Sequence, residues 1–443
     1  MKLIHNKVLV DVGNNEHLLL NTLNGKIDLL YKEHYNIFTN WADSEIITPR
    51  NDVEEALYNA LLAGGYLVES TEVELKEKAS VLEKLREAHE KKRNSFHSLS
   101  FVLTYDCNFN CSYCYEQGNV KYNNQMTKEM VNAALELTQD NVLTEVKLFG
   151  GEPLLPKNKE VVEHIFNRCK DKRFQITTNG YTLLDYLDLF EGHKFSNIQV
   201  TLDGPAEFHN KKRFLADGSP TFARIIEGIA ACLGRGHPIH IRMNVDSKNV
   251  EECINLRTEL LEKWSMHSEL LSFEMYPLFQ LEPEAMQNVM DKLSLEDINK
   301  SPEELSKMNA SFATFRPIVN YFINGVVPQP LYAFCDAHGG SAFVDPLGDI
   351  YTCILSLGKR ELTVGTYYPV KQWKENSILM RNVENIPECS ACEYALLCGG
   401  GCPLPLGHYE DVFRPVCASI KEEIHSKIPY FFNLKRKSMQ TER

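Results

Sequence analysis

The sequence of 443 residues contains no apolar run of 18 or more residues and no N-terminal signal segment, so no membrane partner and a cytoplasmic location are expected. It also lacks a basic block inside the fold. With 47 Lys and Arg against 60 Asp and Glu, the formal charge is −13, which gives nucleic acid no electrostatic footprint. Lys435, Arg436 and Lys437 form only a short basic tail, read as a solvated end. Cysteine is scarce outside two stretches. Of 13 cysteines, three lie in 107–114 and seven in 335–417. The others, Cys169, Cys232 and Cys253, fall in helical patterns and read as small core residues. In a cytosolic chain this clustering points to metal rather than disulfides. The length exceeds one hydrophobic core, so two or three domains are expected.

The first stretch, 101–116, reads FVLTYDCNFNCSYCYE. Cys107, Cys111 and Cys114 follow an apolar run at 101–103 that reads as a strand, and Tyr113 and Tyr115 flank the last cysteine. A cubane iron–sulfur cluster takes four thiolates, so three on one loop leave one iron open to a small molecule. A zinc knuckle or free core cysteines are the plainer alternatives. Downstream, strand patterns at 99–105, 144–149, 173–178, 197–203, 239–246 and 271–278 alternate with helical ones such as 126–139, 158–170 and 221–234. Such alternation means parallel βαβ units, in which chemistry collects at the carboxyl ends of the strands. The second strand ends in Gly150-Gly151-Glu152-Pro153. Its glycines admit a close backbone approach and Glu152 is an acceptor, unless this is an ordinary turn. The fourth ends in Thr201-Leu202-Asp203-Gly204-Pro205, with His209 and Arg213 beyond. Arg242 and Asn244 share one face of the fifth strand, where they line a cavity or pair with each other.

Together these motifs resemble the radical S-adenosylmethionine (SAM) superfamily. The resemblance implies an α/β fold, a partial (β/α)6 barrel over 98–280. It implies a [4Fe-4S] cluster on Cys107, Cys111 and Cys114 whose free iron chelates the amine and carboxylate of SAM. Gly150, Gly151 and Glu152 would hold the SAM ammonium, Tyr113 would sit beside the cofactor, Thr201 would reach the ribose, and Arg213 the carboxylate or the substrate. Reductive cleavage would give a 5′-deoxyadenosyl radical, with a flavodoxin- or ferredoxin-type reductant.

The second stretch has twelve residues between Cys335 and Gly348 and four between Gly348 and Cys353, then Cys389-x2-Cys392-x5-Cys398-x3-Cys402 and finally Cys417. Seven thiolates exceed one cubane, and a zinc ribbon accounts only for Cys389 and Cys392. The pattern resembles the SPASM domain, expected over 329–443 with a C-terminal helix. The resemblance assigns Cys335, Cys353 and Cys402 to auxiliary cluster I, and Cys389, Cys392, Cys398 and Cys417 to cluster II, making three [4Fe-4S] clusters in all. Some members carry an eighth cysteine just before the first. The stretch 327–332 has none, leaving cluster I one thiolate short.

At the N-terminus, strand patterns at 8–12, 17–21 and 26–30 precede helices at 32–41 and 52–64 and a short strand at 66–69. Asn24-Gly25 is a hairpin signal, and Asn51 or Asp52 with Glu54 and Glu55 opens the second helix. The order resembles the PqqD-like winged-helix module that binds leader peptides, assigned to 1–71; the alternative is a domain that only packs on the barrel. A charged helix at 72–93 carries Glu72/Lys76, Glu74/Lys78 and Glu87/Lys91 pairs and a stripe of Leu75, Ala79, Leu82 and Leu85. It reads as the bridge of a 72–97 segment. A helical linker is expected at 281–328.

These features lead to a maturase that forms thioether crosslinks in a ribosomally made precursor peptide bearing a leader, like the ranthipeptide and sactipeptide maturases. Carbon–carbon crosslinking shares every motif. An anaerobic sulfatase maturase would have an Asp after the second SPASM cysteine, where Ile354 stands, and would usually lack some ninety residues before the triplet. A cluster-bearing electron-transfer scaffold is a fourth reading, disfavoured by the intact Gly150–Pro153 motif beside the triplet.

Overall fold

The computed structural model describes residues 1–93, 96–114, 124–138, 143–277, 318, 321–322, 325–335, 337, 340–375, 377–402, 413–417 and, within 421–436, residues 421, 422, 424, 425, 428, 429, 431–433, 435 and 436. Tyr115 and most of the expected 281–328 linker lie outside these residues. The chain forms two compact units that cut across the linear division. One is Met1–Lys92 with Phe312–His338 and Ser377–Arg443; the other is Arg93–Ser311 with Gly339–Asn376.

In the first unit, β1 (Lys2–Leu3) precedes an antiparallel meander of β2 (Lys7–Gly13), β3 (Glu16–Asn21) and β4 (Ile27–Leu30). Gly13, Asn14 and Asn15 all take positive φ at the first turn, a conformation open to Gly and tolerated by Asn. α1 (Lys32–Trp41) and α2 (Asp52–Ala63) follow, then β5 (Leu67–Val68), which pairs with β1. Asn51 caps α2, its Oδ1 accepting from Glu54 N at 2.9 Å. Leu19 and Leu30 pack on Phe38, Trp41, Leu57 and Leu61 of the helices. The opposite face, Val8, Val10, Val12, Leu18, Leu20 and Ile27, is covered by Ile318, Phe322, Ile424, Ile428 and Phe431. Residues 1–71 therefore share a core with the C-terminal segment. The basic tail is not simply solvated: Arg436 pairs with the buried Glu16 on β3.

α3 (Thr71–Arg93) buries only the second half of the stripe its leucines suggest. Leu75 and Ala79 are exposed, while Glu74 and Lys78 are buried and Val81, Leu82 and Leu85 pack against Ile386, Cys389 and Leu396. Glu74 does not serve the expected i,i+4 pair. Its carboxylate accepts from His5 N (2.7 Å), Asn6 N (2.8 Å) and Asn6 Nδ2 (2.7 Å). Lys78 Nζ donates to Ser390 O at 2.8 Å. A helix face follows its partners, and here those are backbone groups no leucine would satisfy.

The second unit has an alternating core. β6 (Ser98–Val102), β7 (Glu145–Phe149), β8 (Arg173–Thr178), β9 (Lys194–Thr201), β10 (Ile239–Val245) and β11 (Leu271–Pro277) run parallel in sequence order, each within a few residues of its expected place. Between them lie α4 (Lys128–Leu135), α5 (Lys159–Arg168), α6 (Leu183–Phe190), α7 (Ala206–Lys212), α8 (Phe222–Gly234) and α9 (Val250–Lys263). Cys169, Cys232 and Cys253 are buried at the end of α5 and inside α8 and α9. Beyond expectation, β12 (Ser341–Val344) adds to β6 in parallel, followed by β13 (Asp349–Tyr351), β14 (Gly365–Thr366) and β15 (Gln372–Trp373). Among the described residues no helix is long and apolar enough to cross a membrane.

Candidate active site

The cysteine loop leaves the carboxyl end of β6 and is held on two sides. On one, Gly151 N donates to Thr104 O and Glu152 N to Asp106 O, both at 2.9 Å. A Cβ on Gly150 would lie 2.4 Å from Thr104 O, and one on Gly151 2.4 Å from Asp106 O. The glycines thus admit the chain's own cysteine loop, a different approach from the ligand expected at them. On the other side, Asn110 N donates to Phe214 O (2.9 Å), Ser112 N to Lys212 O (3.0 Å) and Ala216 N to Asn108 O (3.0 Å). This short antiparallel ladder joins the loop to the segment after α7. Lys157 pairs with Asp106 at the loop's start.

Behind the loop lies a buried polar network. Tyr113 OH donates to Asp203 Oδ2 and accepts from Arg213 Nη1 (2.8 Å) and Asn244 Nδ2 (3.1 Å). Asn244 N also donates to Asp203 Oδ1 at 3.2 Å, and Arg242 Nε donates to Asn244 Oδ1 at 3.2 Å. The Tyr113 hydroxyl is therefore engaged inside the protein, and Arg242 and Asn244 pair. Arg213 stacks over Phe109, 5.7 Å from its ring centre, and its buried Nε has no partner among the described residues. Burial opposes the Asp203 carboxylate and raises its pKa, with the Arg213 charge working against that rise. His209 is fully buried: Nδ1 accepts from Asp203 N (3.3 Å) while Nε2 faces Thr221 Oγ1 (3.1 Å). Thr221 Oγ1 itself donates to Arg213 O, so the Nε2–H tautomer completes the chain of bonds. Burial, then the Arg213 charge, pushes the His209 pKa down to about 3, leaving a neutral ring. Thr201 ends β9, buried and in register with Arg242.

Glu152 is fully buried. Its Oε1 accepts from Thr178 Oγ1 (2.7 Å) and Leu154 N (2.9 Å), and its Oε2 from Asn179 N (2.7 Å). Burial raises its pKa, against the pull of these donors. In this structure it ties its loop to the end of β8. Asn179 was not singled out in the sequence, yet its Nδ2 donates to Asn108 Oδ1 (2.8 Å) and approaches Cys107 Sγ (3.7 Å). Its position at the carboxyl end of a parallel strand was the available signal. Phe109 N also donates to Cys107 Sγ at 3.4 Å. Burial pushes the Cys107 thiol up to about 12, with the Glu152 charge adding to the rise.

Of the second cysteine set, Cys335 and Cys402 lie in the first unit and Cys353 in the second, before a 3-10 turn at Ile354–Ser356. Cys389, Cys392, Cys398 and Cys417 all lie in the first unit. Burial raises the Cys389 thiol to about 12 and the Cys398 thiol to about 11, and neighbouring sulfurs of this set add to both rises. The Cys389–Cys392 turn is held by N-terminal side chains: Lys78 on Ser390 O, His5 Nε2 on Ala391 O (2.9 Å) and Thr22 Oγ1 on Glu393 O (3.0 Å).

A three-cysteine loop at a strand's carboxyl end is locked to a Gly-Gly-Glu turn, and residues 101–259, which contain both, match the family model of the Radical SAM superfamily. The chain is 26% identical over 181 residues to the probable GTP 3',8-cyclase of Saccharolobus solfataricus and 27% over 149 residues to that of Pyrococcus abyssi. These alignments cover 41% and 33% of the chain and 57% and 47% of the relatives. The chain thus spans about half the length of the curated relatives it matches. In fold it is similar to anSMEcpe with bound AdoMet (TM-score 0.58, 19% identity, 76% of this chain and 99% of that one). It is also similar to Streptococcus suis SuiB, bound to S-adenosylmethionine (0.53, 13%, 95% and 99%) and to precursor peptide SuiA (0.50, 14%, 95% and 99%).

Proposed function

We propose that the chain is a maturase that forms thioether crosslinks in a ribosomally made precursor peptide. The observation that carries a peptide substrate is the likeness to SuiB over 95% of the chain, since one of its structures holds a precursor peptide. In this reading Cys107, Cys111 and Cys114 would hold a [4Fe-4S] cluster, and Gly150, Gly151, Thr201 and Arg213 would lie beside SAM. The pair would supply radical chemistry able to take hydrogen from an unactivated carbon. The chain's own residues fix that chemistry in place. Glu152 and Asn179 brace the turn and Cys107, while Tyr113, Asp203, Arg213 and Asn244 brace the segment before Cys114. Arg213 Nε, buried and unpartnered among the described residues, is a donor suited to a carboxylate. Residues 1–71 take the leader as an added strand at a sheet edge. The seven later cysteines would hold two auxiliary clusters, and the one short of a thiolate would be open to the substrate sulfur. Net, SAM, the C–H bond and the S–H bond would give a C–S bond, methionine, 5′-deoxyadenosine (which takes the carbon's hydrogen) and a proton from the thiol, with the electron that starts SAM cleavage returned to a cluster.

The test is co-expression with a short Cys-rich peptide encoded nearby, followed by mass spectrometry with thiol alkylation. Loss of two hydrogens and of one alkylatable thiol per crosslink is expected. Loss of two hydrogens with every thiol still alkylatable would replace this reading by carbon–carbon crosslinking. Formylglycine at a Cys or Ser would replace it by the sulfatase-maturase reading.

A further inference from the structure

We propose that Arg381 sets the reduction potential of the cluster held by Cys389, Cys392, Cys398 and Cys417, while its hydrogen bonds fix the backbone near Cys398 and near Cys417. The inference rests on reading those four cysteines as one ligand set. The residues fit such a group. Gly400 N donates to Cys398 Sγ at 3.4 Å. Cys392 N donates to Cys389 O (3.2 Å), and Val416 N, next to Cys417, donates to Gly400 O (3.3 Å), so backbone bonds tie the cysteine-bearing segments together. Four thiolates suit a cubane, which takes one per iron.

Arg381 is 1% exposed, the bulkiest fully buried side chain described. Its guanidinium is pinned by backbone carbonyls: Nε and Nη2 donate to Gly401 O (3.3 and 3.2 Å), Nη2 to Gly400 O (2.5 Å) and Nη1 to Arg414 O (3.1 Å). Gly399, Gly400 and Gly401 all take positive φ, and the carbonyls of Gly400 and Gly401 face it. Both Arg381 Nη2 and Cys389 Sγ lie within 4 Å of where a Cβ on Gly400 would stand, at 3.7 and 3.9 Å. A permanent cation is thus held beside the ligand set, away from bulk water. Charge at short range in a dry site favours the reduced cluster, which carries one more negative charge.

The test is an EPR-monitored redox titration of the reconstituted full-length protein, with iron content measured beside it. The auxiliary signal is assigned by its perturbation in Cys417→Ser. Arg381→Gln should keep the iron but move that signal to more negative potential. At a fixed poise the ratio of reduced to oxidised cluster should fall at least tenfold, about 59 mV for a one-electron couple. Arg381→Lys, which keeps the charge and loses the planar fork, should restore most of the shift, and the SAM-binding cluster should not move. If the Gln variant loses the cluster, a Lys variant that retains it near the wild-type potential still supports the role of charge. An unchanged potential in both variants, equal shifts in both, or loss of the cluster in both overturns it. If Cys389→Ala removes no iron, the ligand assignment itself fails, whatever Arg381 does.

Discussion

Gly151→Ala is the smallest change that should disable the site. The new methyl carbon would stand 2.4 Å from Asp106 O, 2.7 Å from Asp106 C and 2.7 Å from Tyr105 O. All three are backbone atoms, so no side chain can swing away, and the contact must open by more than half an ångström to reach the 3.0 Å floor of real Cβ contacts. Overpacking of this kind costs about 1–3 kcal/mol. The bonds from Gly151 N to Thr104 O and Glu152 N to Asp106 O stretch with it, at about 1 kcal/mol each. The displaced backbone leads directly into Cys107. A misplacement of about 1 Å at a reacting centre can cost about a hundredfold in rate. Gly234→Ala is the control: nothing lies within 4 Å of its Cβ, and it ends α8, so stability should stay or rise by up to about 1 kcal/mol. Urea unfolding and 5′-deoxyadenosine release should separate the two variants by several kcal/mol and about two orders of magnitude, respectively. Wild-type stability and SAM cleavage in Gly151→Ala would refute the argument that this glycine seats the cysteine loop.

Other consequences are open to test. Glu74→Ala strips the acceptor from His5 N, Asn6 N and Asn6 Nδ2, so urea unfolding should show a loss of about 3 kcal/mol. Lys78→Met removes the donor on Ser390 O and should speed iron loss during chelator challenge without affecting SAM cleavage in the absence of peptide. His209 stays neutral in the fold down to about pH 3, whereas an unfolded His takes its proton near pH 6.5. The unfolded state therefore binds more protons below about pH 6.5, and stability falls with pH by up to about 1.4 kcal/mol per unit until the folded ring titrates. His209→Gln should flatten the pH–stability curve in that window, and identical wild-type and variant slopes would contradict the buried neutral ring.

The parallel strands were legible because buried β-branched and aromatic runs of strand length alternate with amphipathic helices; β8 falls on 173–178 as expected. The cysteine clusters stand out by spacing in the sequence, and the first follows β6 as expected. The missed features depend on tertiary partners. Nothing local reveals that Glu74 and Lys78 face inward, since the reason lies at His5, Asn6 and Ser390. The purpose of Gly150 and Gly151 emerges only once Thr104 and Asp106 are beside them. β12 and β13 are three or four residues long and sit within a stretch dominated by cysteine spacing, too short for periodicity to show. Arg436 looked like a tail because its partner, Glu16, is at the other end of the sequence.

The central claim is that the loop at Cys107, Cys111 and Cys114 holds a cluster that cleaves SAM. The direct measurement is 5′-deoxyadenosine released by reconstituted, reduced protein, compared between the wild type and the triple Cys→Ala variant, with iron counted in both. The account predicts about twelve irons and SAM cleavage in the wild type, and about four fewer irons with no 5′-deoxyadenosine in the variant. Retained SAM cleavage in the triple variant would contradict it.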